Sequence, residues 1–241
     1  LVASLGRSLL IALAASSLLL VLQWPLRELA FALLHASDSV EGLGRGYFDI
    51  RIWAAPATLA NYALLGWFIG LGRTDIALIL QLVLNLTNIV LDVWFVLGLG
   101  WDVRGVAAGT VLAEMLAAGT GLLLAARHVR SIGGRWSLKR LLVPQQLQRT
   151  LRVNSDIMVR SLALMFVMVW FTAQGAAQGN VRLAANAVLL QFISVSAYFL
   201  DGLAFAAEAL VGRAVGAGRR AALAIAAGST TLWAGVIALV I

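Results

Sequence analysis

Gln81, Asn85, Asn88 and Asp92 stand at i, i+4, i+7 and i+11, the spacing that puts side chains on one face of a helix. Every other residue from 76 to 97 is apolar or small, apart from Thr87. A charge at the centre of a bilayer costs about 2.5–3.5 kcal/mol on insertion scales, so a carboxylate in such a segment faces a cavity or a partner. The stripe therefore reads as the wall of a hydrated cavity, or else as a buried Asp satisfied by its Asn and Thr neighbours. In the next apolar run, Thr110 and Glu114 are one turn apart and could converge with Asn88 and Asp92. Carboxylate, amide and hydroxyl oxygens are hard ligands, suited to Na+ or to holding a proton. Glu114 reads equally well as a helix–helix hydrogen bond, and Asn61 as either a cavity residue or interhelical glue. Later in the chain Asp201 and Glu208 are seven apart and share a face with Ser194 and Tyr198. Asp201 is the deeper of the two, whereas Glu208 lies near a helix end and could simply pair with Arg213. Asn154, Ser155 and Asp156 read as a cap at the start of a helix.

The elements that carry these residues follow from composition. The 241 residues are 61% hydrophobic and 12% charged, whereas a soluble domain is about a quarter charged. There is no Cys and there are two His, which removes disulfides, thiolate zinc and iron–sulfur sites and cysteine nucleophiles, and disfavours a histidine metal centre. Seven apolar runs, near 5–24, 53–71, 76–97, 103–126, 157–178, 183–211 and 221–241, each approach the roughly 20 residues that cross a bilayer as a helix. Strands are excluded because the runs are long and do not alternate, and open sheet edges are not viable in lipid. The sequence predicts an all-α polytopic bundle.

Charge sets the orientation. Residues 127–152 carry seven Lys/Arg and no acid, matching the net charge of +7, and the positive-inside rule places this stretch in the cytoplasm. Counting outward from it, thirteen Lys/Arg fall on the inner side and five, Arg27, Arg45, Arg51, Arg104 and Arg182, on the outer. The basic excess is thus a topology signal, and no nucleic-acid partner is expected. The expected organisation is four spans in 1–126, a cytoplasmic link in 127–152, and three spans in 153–241. Within the link, WSLKRLLVPQQLQRTL (136–151) is amphipathic and could lie flat at the interface, although an ordinary loop fits its composition as well. A second amphipathic piece, 25–34, extends the first span along the outer surface before a polar link, HASDSVEGLGRG (35–46). Gly66 and Gly70, Gly105 and Gly109, and Gly175 and Gly179 have the spacing that lets helices approach closely, and Pro56 should bend or loosen the second span. GRAVGAG (212–218) reads as a turn. No zinc-protease, phosphate-loop or serine-hydrolase motif occurs, so no catalytic residues and no enzyme activity are expected.

Three blocks, YFDIRIWAAPATLANYALLGWFIGLGRTD (47–75), NLTNIVLDVWFVLGLGWDVRGVAAGTVLAE (85–114) and LAANAVLLQFISVSAYFLDGLAFAAEALVGRAVGAG (183–218), closely resemble the multidrug and toxic compound extrusion (MATE) transporters, nearest to their DinF-like branch. The resemblance implies two six-helix lobes joined by a cytoplasmic loop, with this chain corresponding to helices three to nine of twelve. It also implies a multi-pass protein of the bacterial inner membrane, expected to be monomeric. Such proteins export amphipathic or cationic small molecules in exchange for H+ or Na+ and need no cofactor. The family's first-lobe cation site maps onto Asn88, Asp92 and Thr110. A flippase for lipid-linked precursors is the alternative reading. It ranks second because the buried charges here are mainly acidic, and a membrane-embedded enzyme ranks third.

Overall fold

A computed structural model describes residues 2–33, 38–133, 143–177 and 180–240. The described residues form helices α1 (Val2–Val21), α2 (Gln23–Leu33), α3 (Asp38–Arg51), α4 (Ala55–Gly70), α5 (Thr74–Asp92), α6 (Asp102–Ser131), α7 (Pro144–Ala177), α8 (Asn180–Gly216) and α9 (Arg220–Val240). Six stretches among them are long and apolar enough to cross a membrane: Val2–Val21, Glu41–Gly70, Thr74–Gly98, Asp102–Ser131, Val188–Gly216 and Arg220–Leu239. The expected span over 157–178 runs beyond the described residues. The chain divides into two compact units, residues 1–142 and 143–241, and the division falls inside the stretch 127–152 expected to link two lobes.

In the first unit α6 is central, packed against α3, α4 and α5, while α1 packs on α4. Its buried face is mostly alanine and glycine, including Gly105, Ala107, Gly109, Ala113, Ala117 and Gly121, and such small residues let backbones approach closely. A Cβ added at Gly121 would sit 2.8 Å from Leu64 Cδ1, and one at Gly105 would sit 3.1 Å from the Cβ atoms of both Phe95 and Trp101. The pair Gly66 and Gly70 departs from expectation, since a Cβ there would meet nothing within 4 Å. Gly175 and Gly179 lie outside the residues described in such detail. Leu5, Leu64, Trp67, Phe68, Ile76, Leu80, Ala125 and Val129 form the core. Large apolar side chains such as Leu78, Leu86, Ile89 and Leu123 point outward, the pattern of helices whose outer faces meet lipid.

Three local readings are corrected. The polar stretch 35–46 is helical from Asp38 onward. Two of its glycines are packing positions: a Cβ at Gly44 would press 2.9 Å from the Phe31 ring, and one at Gly46 would lie 3.2 Å from the Arg104 guanidinium, whereas one at Gly42 would meet nothing within 4 Å. Ion pairs hold α3 to α2, with Arg27 on Asp49 at 2.8 Å, Arg45 on Glu28 at 2.7 Å, and Arg45 on Glu41 of its own helix at 2.8 Å. Next, Asn154, Ser155 and Asp156 lie inside α7 and not at its start, because the helix begins at Pro144. Proline suits a first helical position, and no breaker follows it. From Pro144 on, the described part of the amphipathic stretch, 143–151, is accordingly the start of that long helix. Finally, GRAVGAG is helical through Gly216, and only its end turns, at Gly218 with φ +65°.

Pro56 acts as a local tightening. It lies two residues after the end of a 3-10 turn, Ile52–Ala54, and in the first turn of α4. Proline cannot donate to the carbonyl four residues back and its ring crowds that group, so the chain closes on Ile52 O from Ala55 instead.

In the second unit α8 packs against α7 and α9. Ala209 and Ala214 on α8 and Ala226 on α9 are buried.

Candidate cation site

Asp92 is the last residue of α5, and the chain then widens into a six-residue π-helical segment, Val93–Gly98. Such segments are rare and are frequently found at functional sites. The hairpin that returns the chain to α6 is fixed by Gly100 at φ +66° and by Phe95 stacked on Trp101, with centroids 5.1 Å apart. Trp101 N donates to Phe95 O at 3.0 Å. These contacts lay α6 along the end of α5. At the closest approach Gly109 faces Asp92: a Cβ there would collide with Asp92 Oδ1 and lie 3.3 Å from Asp92 N and Leu91 Cβ.

Asn88 Nδ2 donates to Thr110 Oγ1 at 3.1 Å, and that hydroxyl donates to Val106 O at 2.8 Å. Asp92 Oδ1 is shut off from solvent and has no hydrogen-bond partner among the described residues. A buried carboxylate oxygen with no donor is costly as it stands, and a proton or a hard cation is the chemical species that would satisfy it. Asn88, Asp92 and Thr110 thus lie together at the α5–α6 contact. Gln81 and Asn85, farther back on the same stripe, are exposed.

Glu114 points into a different cluster. It is 7% exposed, and its carboxylate accepts from Arg51 Nη2 at 2.6 Å and from the Thr58 hydroxyl. Its backbone carbonyl accepts from Asn61 Nδ2 at 3.0 Å. Asn61, itself buried, is therefore a helix–helix tie between α4 and α6. Sequence spacing allowed Glu114 to converge with Asp92; among the described residues no hydrogen bond joins it to Asp92 or Asn88. Sequence reading missed Arg51 and Thr58 because Arg51 is 63 positions from its partner and was counted among the outer-side charges. Its position at the entrance of an apolar run was the available signal. Arg51 and Thr58 also line a cavity of about 280 Å³, whose other walls are Leu19, Tyr47, Phe48, Ile52, Ala55 and Leu59.

In the second unit the candidates do not assemble. Asp201 and Glu208 are exposed on α8, and among the described residues neither forms an ion pair. Ser194, on the same face, donates back to Leu190 O at 2.8 Å.

Helices of membrane-spanning length, a carboxylate placed within them and outward-facing apolar side chains define a multi-pass α-helical membrane protein. Comparison with known proteins narrows this class. A family model, MatE, matches residues 1–94. DNA damage-inducible protein F of Escherichia coli (strain K12) is 39% identical over 214 residues, covering 89% of this chain and 47% of that protein. Protein DETOXIFICATION 43 and Protein DETOXIFICATION 42 of Arabidopsis thaliana are each 28% identical, over 68% and 70% of this chain and 30% and 32% of their own lengths. The chain belongs to the MatE family. It spans less than half the length of these relatives, and no solved structure matches it.

Proposed function

We propose that this chain forms part of a secondary active exporter that moves small organic molecules out of the cell in exchange for H+ or Na+. The observation that carries the reading is the unpartnered Asp92 Oδ1, buried beside Asn88 and Thr110 at the contact of two spanning helices. Binding of a cation there neutralises the carboxylate and favours the conformation in which its oxygens are best satisfied. Substrate favours the other conformation, so each ligand drives the other off through the shared equilibrium. The π segment that follows Asp92 gives α5 a place where helical register can change without breaking the span. Exchange of this kind in membrane transporters proceeds by rocking of repeats around a site near the bilayer midplane.

The substrates are amphipathic or cationic. The cavity lined by Tyr47, Phe48, Leu19 and Ile52 has aromatic and aliphatic walls and few polar groups, the make-up of a site for a hydrophobic small molecule. In this reading the protein resides in a bacterial inner membrane, with residues 127–152 on the cytoplasmic side. The test is transport by the full-length protein in proteoliposomes under an imposed proton or sodium gradient. Asp92→Asn should abolish gradient-driven substrate movement, and unchanged movement would refute the proposal.

A further inference from the structure

Two arginines line one largely apolar pocket in the second unit. Between α8 and α9 lies a cavity of about 430 Å³ whose lining includes Arg213, Arg219, Leu210, Ala222, Ile225 and Ser229. The turn that closes it is short: Ala217 N donates to Arg213 O and Arg219 N to Ala214 O, both at 3.0 Å, with Gly218 at φ +65°. This brings Arg219 back to the pocket that Arg213 already lines. The nearest acid along α8, Glu208, does not neutralise Arg213, and among the described residues neither arginine forms an ion pair. Two exposed, uncompensated guanidiniums beside an aliphatic wall suit a ligand with an anionic head and an apolar body.

We propose that this pocket binds a phospholipid with an anionic headgroup, its phosphate on Arg213 and Arg219 and its acyl chain along Leu210 and Ile225. Guanidinium forks match phosphate oxygens through paired hydrogen bonds. Basic pockets between spanning helices on the cytoplasmic side recognise anionic lipids in this way. A free phosphate would leave the apolar wall wet, whereas a phospholipid covers both parts of the site. The proposal rests on the membrane reading and on the cytoplasmic placement of this turn, and is independent of cation coupling.

The experiment uses the full-length protein in nanodiscs of phosphatidylcholine titrated with phosphatidylglycerol, with bound lipid counted by native mass spectrometry. The expected preference for phosphatidylglycerol is about 30-fold, from a roughly fivefold gain per basic residue. Arg213→Gln with Arg219→Gln should remove it, and the Arg→Lys pair, which keeps the charge but loses the paired hydrogen bonds, should keep only part of it. No preference in the unaltered protein, or a preference unchanged by the Gln pair, would overturn the site. Displacement of the lipid by millimolar glycerol phosphate would mark a soluble-phosphate site and also overturn it. A photoreactive phosphatidylglycerol supplies a readout that needs no variant: labelling should fall on residues 210–229, and labelling elsewhere contradicts the proposal. Because none of these readouts involves transport, loss of coupling at Asp92 and loss of the lipid site are separable.

Discussion

Asp92 and Glu114 are both acids within apolar helices, yet their surroundings differ in kind. Glu114 has an arginine and a hydroxyl on its carboxylate, while Asp92 keeps one buried oxygen with no donor. Satisfaction of Glu114 by fixed partners points to a structural role. Removing one member of a buried ion pair costs about 3–5 kcal/mol. Arg51, with 28% of its side chain exposed, belongs at the lower end. Arg51→Ala in the full-length protein should therefore destabilise it by about 3 kcal/mol, whereas Glu114→Gln, which retains hydrogen-bonding atoms and leaves its unpaired charge on the partly exposed Arg51, should cost less, about 2 kcal/mol. Thermal unfolding in detergent checks the order, and equal effects would remove the distinction. The stripe Gln81, Asn85, Asn88 and Asp92 was legible as a helix face. The grouping of Asn88 and Asp92 with Thr110 was legible as well, whereas the turning of Glu114 away to Arg51 and Thr58 was not, because its partners lie 63 and 56 positions away and periodicity within α6 cannot show them.

At the scale of elements, the α5–α6 hairpin is the device that places the site. Gly109→Val should force the helices apart at Asp92, at the roughly 1–3 kcal/mol typical of overpacking, and weaken cation coupling more than overall stability. Gly66→Val, at a glycine with open space around it, is the control and should leave both nearly unchanged. Transport assays on the two variants measure this. On the α2–α3 side, hydrogen bonds from the Arg45 and Arg27 guanidiniums hold the Glu28 carboxyl down from 4.5 to about 2. A carboxylate depressed on folding stabilises above its ordinary pKa, and that contribution is lost as pH falls through the lowered one. The docking of α2 on α3 should thus hold above pH 4.5 and weaken progressively toward pH 2. Hydrogen exchange in α2, corrected for intrinsic rates, should show this, and Glu28→Gln should flatten the profile. This pairing was illegible in the sequence because three glycines in 42–46 made a helical stretch look like a loop. Only the tertiary contacts with Phe31 and Arg104 reveal why glycine is needed at 44 and 46.

At the scale of the molecule, spanning helices and their order were readable because length and hydropathy are local properties, and six of the expected spans are present among the described residues. Helix ends were less readable. The start of α7 at Pro144 is a proline effect that charge counting cannot see. Orientation can be tested directly because the chain lacks cysteine. Ser131→Cys, at the end of α6, should react with a membrane-impermeant thiol reagent only from the cytoplasmic face, and Leu43→Cys, exposed on α3, only from outside. The reverse pattern would invert the topology and with it the cytoplasmic placement of residues 127–152.

The most direct measurement sets the two buried acids against each other: full-length protein in proteoliposomes, substrate flux driven by an imposed H+ or Na+ gradient, with Asp92→Asn and Glu114→Gln compared at equal folded amounts. Coupling at Asp92 predicts that Asp92→Asn loses gradient-driven flux while Glu114→Gln retains most of it. Flux that persists in Asp92→Asn, or that is lost only in Glu114→Gln, would contradict it.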